Sequence, residues 1–343
     1  MNSLRAILQD NSFTSDSLPE LEQKLFFEGD RRQAYLVRFV VLLFLSTVIA
    51  TYGILSDSTA TVIGAMIIAP LMTPILATTA ALVMGQLNRA RASVAIVAGG
   101  ILLVIVTSLA AGFLNIGVIS VTTNSQISAR ITPNLNDLIV ALAAGAAAAF
   151  AYSRFDVADS LPGVAIAIAL VPPLSVVGLS LSTGEWEAAL GASLLFTTNF
   201  LSILLAGGAV FFLLGLGQAS IESRDLPRDA ERRVYRYIAF GVLLVTLPLA
   251  MTTVRVATDS YLQVKAKQIT RTWVESAELE HELNKVIAKQ GDLLIELDGP
   301  QDPPSISELA EQLQESLPQL GTATLRINYA SDLPIERTAE AEP

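Results

Sequence analysis

The chain has 343 residues, of which 52% are hydrophobic and only 16% are charged. Soluble domains carry roughly a quarter charged residues, so this chain has too few polar side chains to cover a soluble protein of its length. It contains no cysteine, which excludes disulfides, thiolate metal sites and iron–sulfur clusters. The formal net charge of −10 argues against a nucleic-acid partner, which needs a clustered basic face. We therefore expect an integral membrane protein whose first partner is the lipid bilayer, with no nucleic acid and no cofactor bound.

The N-terminal segment, residues 1–33, is polar and acid-rich. We expect no cleavable signal peptide, because such a signal begins with a basic region. Four apolar side chains in this segment share one helical face: Leu18, Leu21, Leu25 and Phe26. This pattern predicts a cytoplasmic amphipathic helix that either lies on the membrane surface or packs on the protein itself.

Seven apolar stretches of the chain are predicted to cross the bilayer. They run from about Tyr35 to Leu55, Thr59 to Met84, Val94 to Leu114, Leu138 to Tyr152, Leu161 to Leu181, Leu190 to Leu216 and Tyr237 to Val254. The predicted organisation is membrane repeat 1 (34–115), an outer connection (116–136), membrane repeat 2 (137–217), a cytoplasmic basic linker (218–236), a last transmembrane helix (237–255) and an acidic C-terminal extramembrane module (256–343).

The arginines near the spans predict the orientation of the chain. Cytoplasmic loops carry an excess of basic residues. With a cytoplasmic N-terminus, eleven arginines lie inside and two, Arg130 and Arg255, lie outside. The eleven are Arg31, Arg32, Arg38, Arg89, Arg91, Arg154, Arg224, Arg228, Arg232, Arg233 and Arg236. Seven spans then put the C-terminal module outside.

Most of the acidity belongs to that module, because residues 1–30 carry a net −4, residues 31–255 a net +3 and residues 256–343 a net −9. The module is predicted to be a small α+β unit of two strands and helices. Its predicted elements are a helix over Lys265 to Lys289, strands over Asp292 to Leu297 and Thr322 to Tyr329, a helix over Ser305 to Leu317 opened by a capping box, and a disordered end over Glu336 to Pro343.

Two hydrophobic segments are interrupted by prolines in similar surroundings. Val62–Ile75 contains Pro70 and Pro74, and Val164–Val177 contains Pro172 and Pro173. Pro70 aligns with Pro173 at an offset of 103 residues (173 minus 70), and the glycine turns that follow, at positions 85 and 184, align at an offset of 99 (184 minus 85). Spans one to three therefore repeat as spans four to six, and because three is odd the two copies face opposite ways.

Inverted repeats with interrupted helices in matching positions are typical of secondary transporters. Proline removes a backbone donor and frees a carbonyl. In lipid, a freed carbonyl is tolerated only against protein or a water-filled cavity. The alternative is a pair of kinked packing helices with no pathway between them.

The first proline segment also carries a family resemblance. Ser46-Thr-Val-Ile-Ala-Thr-Tyr-Gly53 and Val62-Ile-Gly-Ala-Met-Ile-Ile-Ala-Pro-Leu-Met-Thr-Pro-Ile-Leu76 resemble the bacterial uncharacterised hydrophobic domain family, domain of unknown function 389. Phe26 to Gly29 and Pro133 to Asp137 are similar to it as well, and the resemblance covers roughly residues 25–215. It implies a polytopic protein of the bacterial inner membrane, and it implies no substrate, reaction or functional residue.

Polar uncharged side chains enter the spans close to the prolines. Thr73, Thr78 and Thr79 follow the first break, Ser175 follows the second, and span six contains Thr197, Thr198 and Asn199. Hydroxyls, an amide and freed carbonyls can replace part of the hydration shell of a small ion. Hydrogen bonds between helices are the alternative use of such side chains. The candidate pathway residues are Pro70, Thr73, Pro74, Thr78, Pro172, Pro173, Ser175 and Asn199.

Acids and signatures of catalysis are missing from the spans. Four aspartates lie at span ends, where they act either as helix caps or as ion ligands: Asp57, Asp137, Asp156 and Asp159. The one histidine, His281, is predicted at the surface of the tail, and no phosphate-binding loop or metal cluster is present in the sequence. Arg130 is predicted to lie in an outer vestibule or a solvated loop. We expect neither an enzyme nor a metal site.

The sequence thus predicts an all-α polytopic membrane bundle of about seven transmembrane helices with an inverted 3+3 repeat, plus a small C-terminal α+β module. The leading hypothesis for its function is transport or channelling of a small ion or solute. The alternative is a membrane scaffold or sensor that acts through the acidic module. The Ala/Gly run Ala143–Ala149 permits close helix contact within the bundle or between subunits, so a homo-oligomer is expected.

Overall fold

The structure is a computed structural model, and its described residues fall into two compact units, 1–254 and 255–343. The residues that it describes are 12–14, 17–26, 28–29, 31–115, 117, 124–154, 170–223, 228–276, 281–289, 291–299, 303 and 306–329. The first half of predicted span five, with Asp156 and Asp159, lies outside them, as do Ser305 and the end of the chain from 330.

Within the described residues the first unit is built from helices. They are α1 (Leu18–Leu25), α2 (Arg31–Leu55), α3 (Thr59–Ile68), α4 (Met72–Val83), α5 (Leu87–Leu114), α6 (Ser125–Ile131), α7 (Leu135–Tyr152), α8 (Val171–Ser182), α9 (Trp186–Leu213), α10 (Leu216–Glu222) and α11 (Arg228–Ser276). Helix α11 continues into the second unit, and the seventh predicted span falls inside it.

Four of these helices, α2, α5, α7 and α9, are long and apolar enough to cross a membrane. They are the cores of predicted spans one, three, four and six. Predicted span two is not one helix, because α3 and α4 meet at an angle of 50° across a short break. A bend of this size at a proline is expected, since proline cannot continue the hydrogen-bond ladder. The chain is therefore a helical membrane protein with an interrupted segment.

The two short helices α4 and α8 form the centre of the first unit. Nearly every residue of α4 is buried, and α8 is buried from Val171 to Ser180. The longer helices around them expose large apolar side chains, as lipid-facing helices do: among these are Val37 and Val41 on α2, Leu102 and Phe113 on α5, and Leu190 and Phe212 on α9. A helix that is apolar all round and enclosed by others is a core element.

The turns after α4 and α8 have the same backbone geometry. Gly85 has φ +67° and Gly184 has φ +76°. In each turn the glycine N–H donates to the carbonyl three residues back, and the next N–H donates to the carbonyl five residues back. This glycine-ended cap satisfies the last carbonyls of α4 and α8. Helices α4 and α8 both have 12 residues, α5 and α9 both have 28, and all of their bounds are related by an offset of 99.

Glycines let the helices approach closely at two crossings. A Cβ at Gly178 would lie 2.6 Å from the carbonyl oxygen of Ile105, where α8 crosses α5. A Cβ at Gly145 would lie 2.7 Å from Cα of Ile203, where α7 crosses α9. The Ala/Gly run of α7 therefore serves helix packing inside the bundle.

Helix α1 packs on the bundle, which is one of the two positions that its pattern allowed. Leu18, Leu21 and Leu25 are buried together with Phe26, and α1 contacts α4 and α10. Asn134 and Asp137 form a capping box at the start of α7, so of the two roles left open for Asp137 the structure shows the helix cap.

The second unit has its own core around a three-stranded sheet. The strands are β1 (Glu282–Lys289), β2 (Asp292–Gly299) and β3 (Ala323–Tyr329), in the order β1-β2-β3. Strand β2 pairs antiparallel with β1 and parallel with β3, and helix α12 (Ile306–Ser316) connects β2 to β3. Trp273 of α11 and Leu313 of α12 are buried against the inner face of β2.

Two predictions for this unit are wrong. The helix predicted to Lys289 ends at Ser276, and Glu282–Lys289 is strand β1. Its residues favour a helix in isolation, but pairing with β2 lets Val286 and Ala288 reach the core. His281 is buried, not exposed, because it packs where a Cβ of Gly299 would stand.

Candidate functional site

The break between α3 and α4 lies at three residues, Ala69, Pro70 and Leu71. Ala69 is extended, with φ −64° and ψ 122°, and its N–H still donates to the carbonyl of Ala65. That same carbonyl accepts a 2.7 Å hydrogen bond from the hydroxyl of Ser46, a buried side chain of α2. The break is therefore supported by a neighbouring helix, as freed backbone in a membrane segment requires.

The other three candidate prolines begin helices instead of interrupting them. Pro74 is the third residue of α4, and Pro172 and Pro173 are the second and third of α8. A proline in the first turn removes no intrahelical hydrogen bond, since those N–H groups have no partner in any helix. The helix bounds also change the alignment: at their common offset of 99, Pro74 and not Pro70 is the counterpart of Pro173.

The hydroxyls on α4 have partners. Thr78 donates to the carbonyl of Pro74 at 2.9 Å, and Thr79 donates to that of Ile75 at 3.0 Å. The hydroxyl of Thr73 is 2.8 Å from the phenol oxygen of Tyr152, at the end of α7. Thr73 thus ties the start of α4 to the other predicted repeat, while Thr78 and Thr79 satisfy their own helix.

Three hydroxyls on α8 and α9 differ from those on α4 in their hydrogen bonding. Ser175 and Ser180 are completely buried on α8, and Thr198 is buried on α9. Within the part of the chain that the structure describes, the oxygens of these three side chains have no hydrogen-bond partner. A buried hydroxyl without a partner costs about 1–3 kcal/mol. Asn199, the last of the candidate residues, is buried next to Thr198 on α9.

A cavity of about 250 Å³ reaches the first proline segment. It is lined by Pro74 and Ala77 of α4, by Tyr35 of α2 and by the first turns of α5, including Ser93. A further side is formed by Leu25, the last residue of α1, and by Phe26, Glu28 and Gly29, and the cavity is partly open to solvent. The cavity therefore extends from the start of α5 to the candidate residue Pro74.

Arg89, at the start of α5, is the charged centre of this cavity. Its Nε and Nη2 donate to both carboxylate oxygens of Glu28, at 2.8 and 3.0 Å. Its Nη1 contacts Glu22 at 2.6 Å and donates to Oε1 of Gln86 at 2.7 Å. The ring of Phe26 lies 4.7 Å from its Cζ. The two-pronged hydrogen bonding from Arg89 holds the pKa of Glu28 below its usual range.

A second polar cluster lies at the turn between α2 and α3. Asp57, which has φ +51°, accepts hydrogen bonds from the hydroxyl of Ser125 and the N–H of Gln126, at the start of α6. These bonds lower the pKa of Asp57. Asp57 is therefore a carboxylate at the N-terminus of a helix and satisfies its first N–H groups.

Arg130 extends this cluster. Its guanidinium donates to the backbone and side-chain oxygens of Gln126, and burial lowers its pKa. Arg130 is half-buried, so it is not a side chain of a solvated loop.

The candidate residues are thus not gathered at one point. Pro74 lines the cavity, Thr73 and Thr78 are hydrogen-bonded beside it, and Ser175 and Asn199 lie on α8 and α9. Sequence reasoning missed the cluster around Arg89. In the sequence, Arg89 was counted only among the basic residues that predict the orientation of the chain. Its partner Glu28 is 61 residues away, so no local pattern links the two.

The fold and the site define a helical membrane protein with an interrupted segment at its centre. Residues 66–205 match the family model described as Domain of unknown function (DUF389), so the family resemblance of the proline segment is confirmed. The chain is 33% identical over 214 residues to an uncharacterized protein of Methanocaldococcus jannaschii, covering 62% of this chain and 63% of that one. The chain thus spans less than two thirds of that relative, which is archaeal. No solved structure matches the chain.

Proposed function

We propose that this protein moves a small ion or solute across the membrane, along a path that passes the buried helices α4 and α8. The observation that carries the proposal is the cavity that reaches Pro74 at the start of α4. The alternative, two kinked helices that only pack against their neighbours, does not require such a cavity. A pathway needs one, because an ion or polar solute crosses only where polar groups replace its water.

We further propose that the two halves form an inverted 3+3 repeat, an arrangement that fits this function. At the offset of 99, Gly178 of α8 corresponds to Thr79 of α4. Gly178 crosses α5 next to Ser108, and Thr79 lies next to Gly208 of α9. Each central helix therefore contacts the long helix of its own half and that of the other half. A twofold relation of this kind around a central site is the arrangement used by many secondary transporters.

The proposed topology has seven spans, with the N-terminus and the cavity at the cytoplasmic side of a cytoplasmic membrane and the C-terminal unit outside. The arginine distribution favours this orientation.

The experiment uses the absence of native cysteine. Purified protein is reconstituted in vesicles, and fluxes of protons, Na⁺, K⁺, Cl⁻ and small neutral solutes are measured. Ala92→Cys, on the cavity wall, is then compared with Val94→Cys, which is exposed on another face of α5. A bulky thiol reagent should block flux through the first variant and leave the second unchanged. Absence of any flux, or equal block in both variants, would contradict the proposal.

The second candidate is a scaffold or sensor that acts through the C-terminal unit. It is favoured by one observation, the separate core of residues 255–343. Helix α11 supplies Leu262, Ala266 and Trp273 to that core, so a deletion must begin at Arg255 to remove the whole unit. If this shortened protein retains flux in vesicles but the cell loses its phenotype, the second function gains. If flux disappears with the folded bundle intact, the unit belongs to the transport mechanism.

A further inference from the structure

We propose that the segment Leu18–Gly29 is a gate over the cavity, held closed by Arg89 and opened by release of this arginine. The gating role rests on the proposed transport function, whereas the opening itself can be measured without it. We define the described residues of this segment, α1 together with Phe26, Glu28 and Gly29, as the N-terminal gate.

The N-terminal gate forms one wall of the cavity. Leu25, Phe26, Glu28 and Gly29 line it on one side, opposite Pro74 and Ala77 of α4. Removing this wall would widen the partly open cavity and give solvent at the start of α5 freer access to the space beside Pro74. The remaining walls belong to α2, α4 and α5, which are held in the bundle by extensive apolar packing.

The contacts that hold the gate are concentrated on one side chain. Arg89 contacts two of the three carboxylates of the gate, Glu22 and Glu28, and its guanidinium also lies over Phe26. These side chains are partly open to solvent: Arg89 is 25% exposed, Glu22 30% and Glu28 58%. Ion pairs in such positions are weak and are screened by salt, so they can open without unfolding the bundle.

The connection between gate and bundle allows movement. Gly29, which precedes α2, has φ +60°, and a Cβ at this position would meet nothing within 4 Å. A left-handed glycine can change its dihedral angles more readily than other residues, and here the change would break the hydrogen bond from the Arg32 N–H to the Gly29 carbonyl. Opening is limited by α1 itself, because its buried side chains pack in the core of the bundle: Leu18, Leu21 and Leu25.

The test measures access to the cavity. Ser93 is buried, lines the cavity and is replaced by cysteine in the otherwise cysteine-free protein. A membrane-impermeant thiol reagent is added to the full-length protein in detergent or vesicles. Adding Glu28→Gln should raise the rate of modification at position 93 roughly three- to tenfold, because the two-pronged contact with Arg89 is lost. Higher ionic strength should raise the rate in the single variant too.

Two controls separate gate opening from general loosening. Glu20→Gln changes an exposed glutamate of the same helix and should leave the rate unchanged. Ser108→Cys is fully buried between α2 and α5, away from the cavity wall, and should stay unreactive with or without Glu28→Gln. An unchanged rate at position 93 overturns the gate, and so does an equal rise at positions 93 and 108.

Flux measurements then decide what the opening does. If Glu28→Gln raises the rate at position 93 and also raises flux in vesicles, the gate controls the pathway. If the wild-type protein carries flux that Glu28→Gln does not change, the segment covers the cavity but is no gate. If no variant carries flux, the proposed function fails, while the reactivity at position 93 still decides whether the segment opens.

Discussion

The turn between α4 and α5 and the turn between α8 and α9 have the same backbone but opposite surroundings. Gln86, which follows Gly85, is buried beneath α1, whereas Glu185 and Trp186, which follow Gly184, are exposed. Both turns must end a short buried helix and start a 28-residue one, which only a few backbone geometries allow. This requirement applies to the backbone and does not determine which side chains surround the turn. The two halves therefore differ where they meet their surroundings and agree where helix joins helix.

The largest difference between the halves is expected at the two helix crossings. A Cβ at Gly178 would lie 2.6 Å from the carbonyl oxygen of Ile105, whereas at Gly208 it would lie 3.5 Å from a methyl group of Thr79. Gly178→Ala must push α8 away from α5, which costs about 1–3 kcal/mol. We expect it to lower the thermal unfolding temperature in detergent by on the order of 5 °C. Gly208→Ala should change it by less than about 1 °C, and equal losses would mean that the two crossings are packed alike.

The two glycine turns should respond equally to substitution, in spite of their surroundings. Gly85→Ala and Gly184→Ala each force a residue with a Cβ into the left-handed region, at a cost of about 1–2 kcal/mol. The unfolding temperature should therefore fall by a similar amount, about 3 °C, in both variants. A loss confined to Gly85→Ala would indicate that α1, and not the backbone of the turn, decides the stability there.

Much of the fold could be predicted because its signals are local. Apolar length identified α2, α5, α7 and α9, Pro70 marked the break, and alternation identified β2. Strand β1 was missed because five of the eight residues of Glu282–Lys289 (Glu, Leu, Ala and two Lys) are good helix formers, and the segment is placed as a strand by its pairing with β2. The cluster around Arg89 was missed for a related reason. Nothing in the sequence near Arg89 indicates that Glu22 and Glu28 fold back onto it.

Substitution of Arg89 should lower stability by less than the glycine substitutions do, and only at the turn that α1 covers. Arg89→Lys keeps the charge but cannot bind Glu28 with two parallel hydrogen bonds while also contacting Glu22 and Gln86. We expect a loss of about 1 kcal/mol in stability, measured as a fall of 2–3 °C in unfolding temperature. At the other turn, Glu185→Gln should have no measurable effect, because this side chain is exposed. A similar loss at both positions would remove the distinction between a covered and an open turn.

The smallest effect should be a pH dependence that only the covered turn has. The pKa of Glu28 is lowered, chiefly by its hydrogen bonds from Arg89, so the folded protein binds its proton less readily than the unfolded chain does. The stabilisation by Glu28 is therefore complete above the unfolded pKa of about 4.3 and is lost as the pH falls through the lower folded value. The other charges at this site are Arg89, Glu22 and Arg32, which both proteins share.

Those shared charges cancel when wild type and Glu28→Gln are compared at each pH. The wild-type protein should unfold about 1–2 °C higher at pH 6, since a partly exposed pair contributes less than about 1 kcal/mol. The gap should close between pH 5 and pH 3 and should also shrink in high salt. A gap that is constant over this range would mean that Glu28 stabilises the gate by shape and neutral hydrogen bonding. The closed wall of the cavity would then depend on the buried leucines of α1 and not on the charge of Arg89.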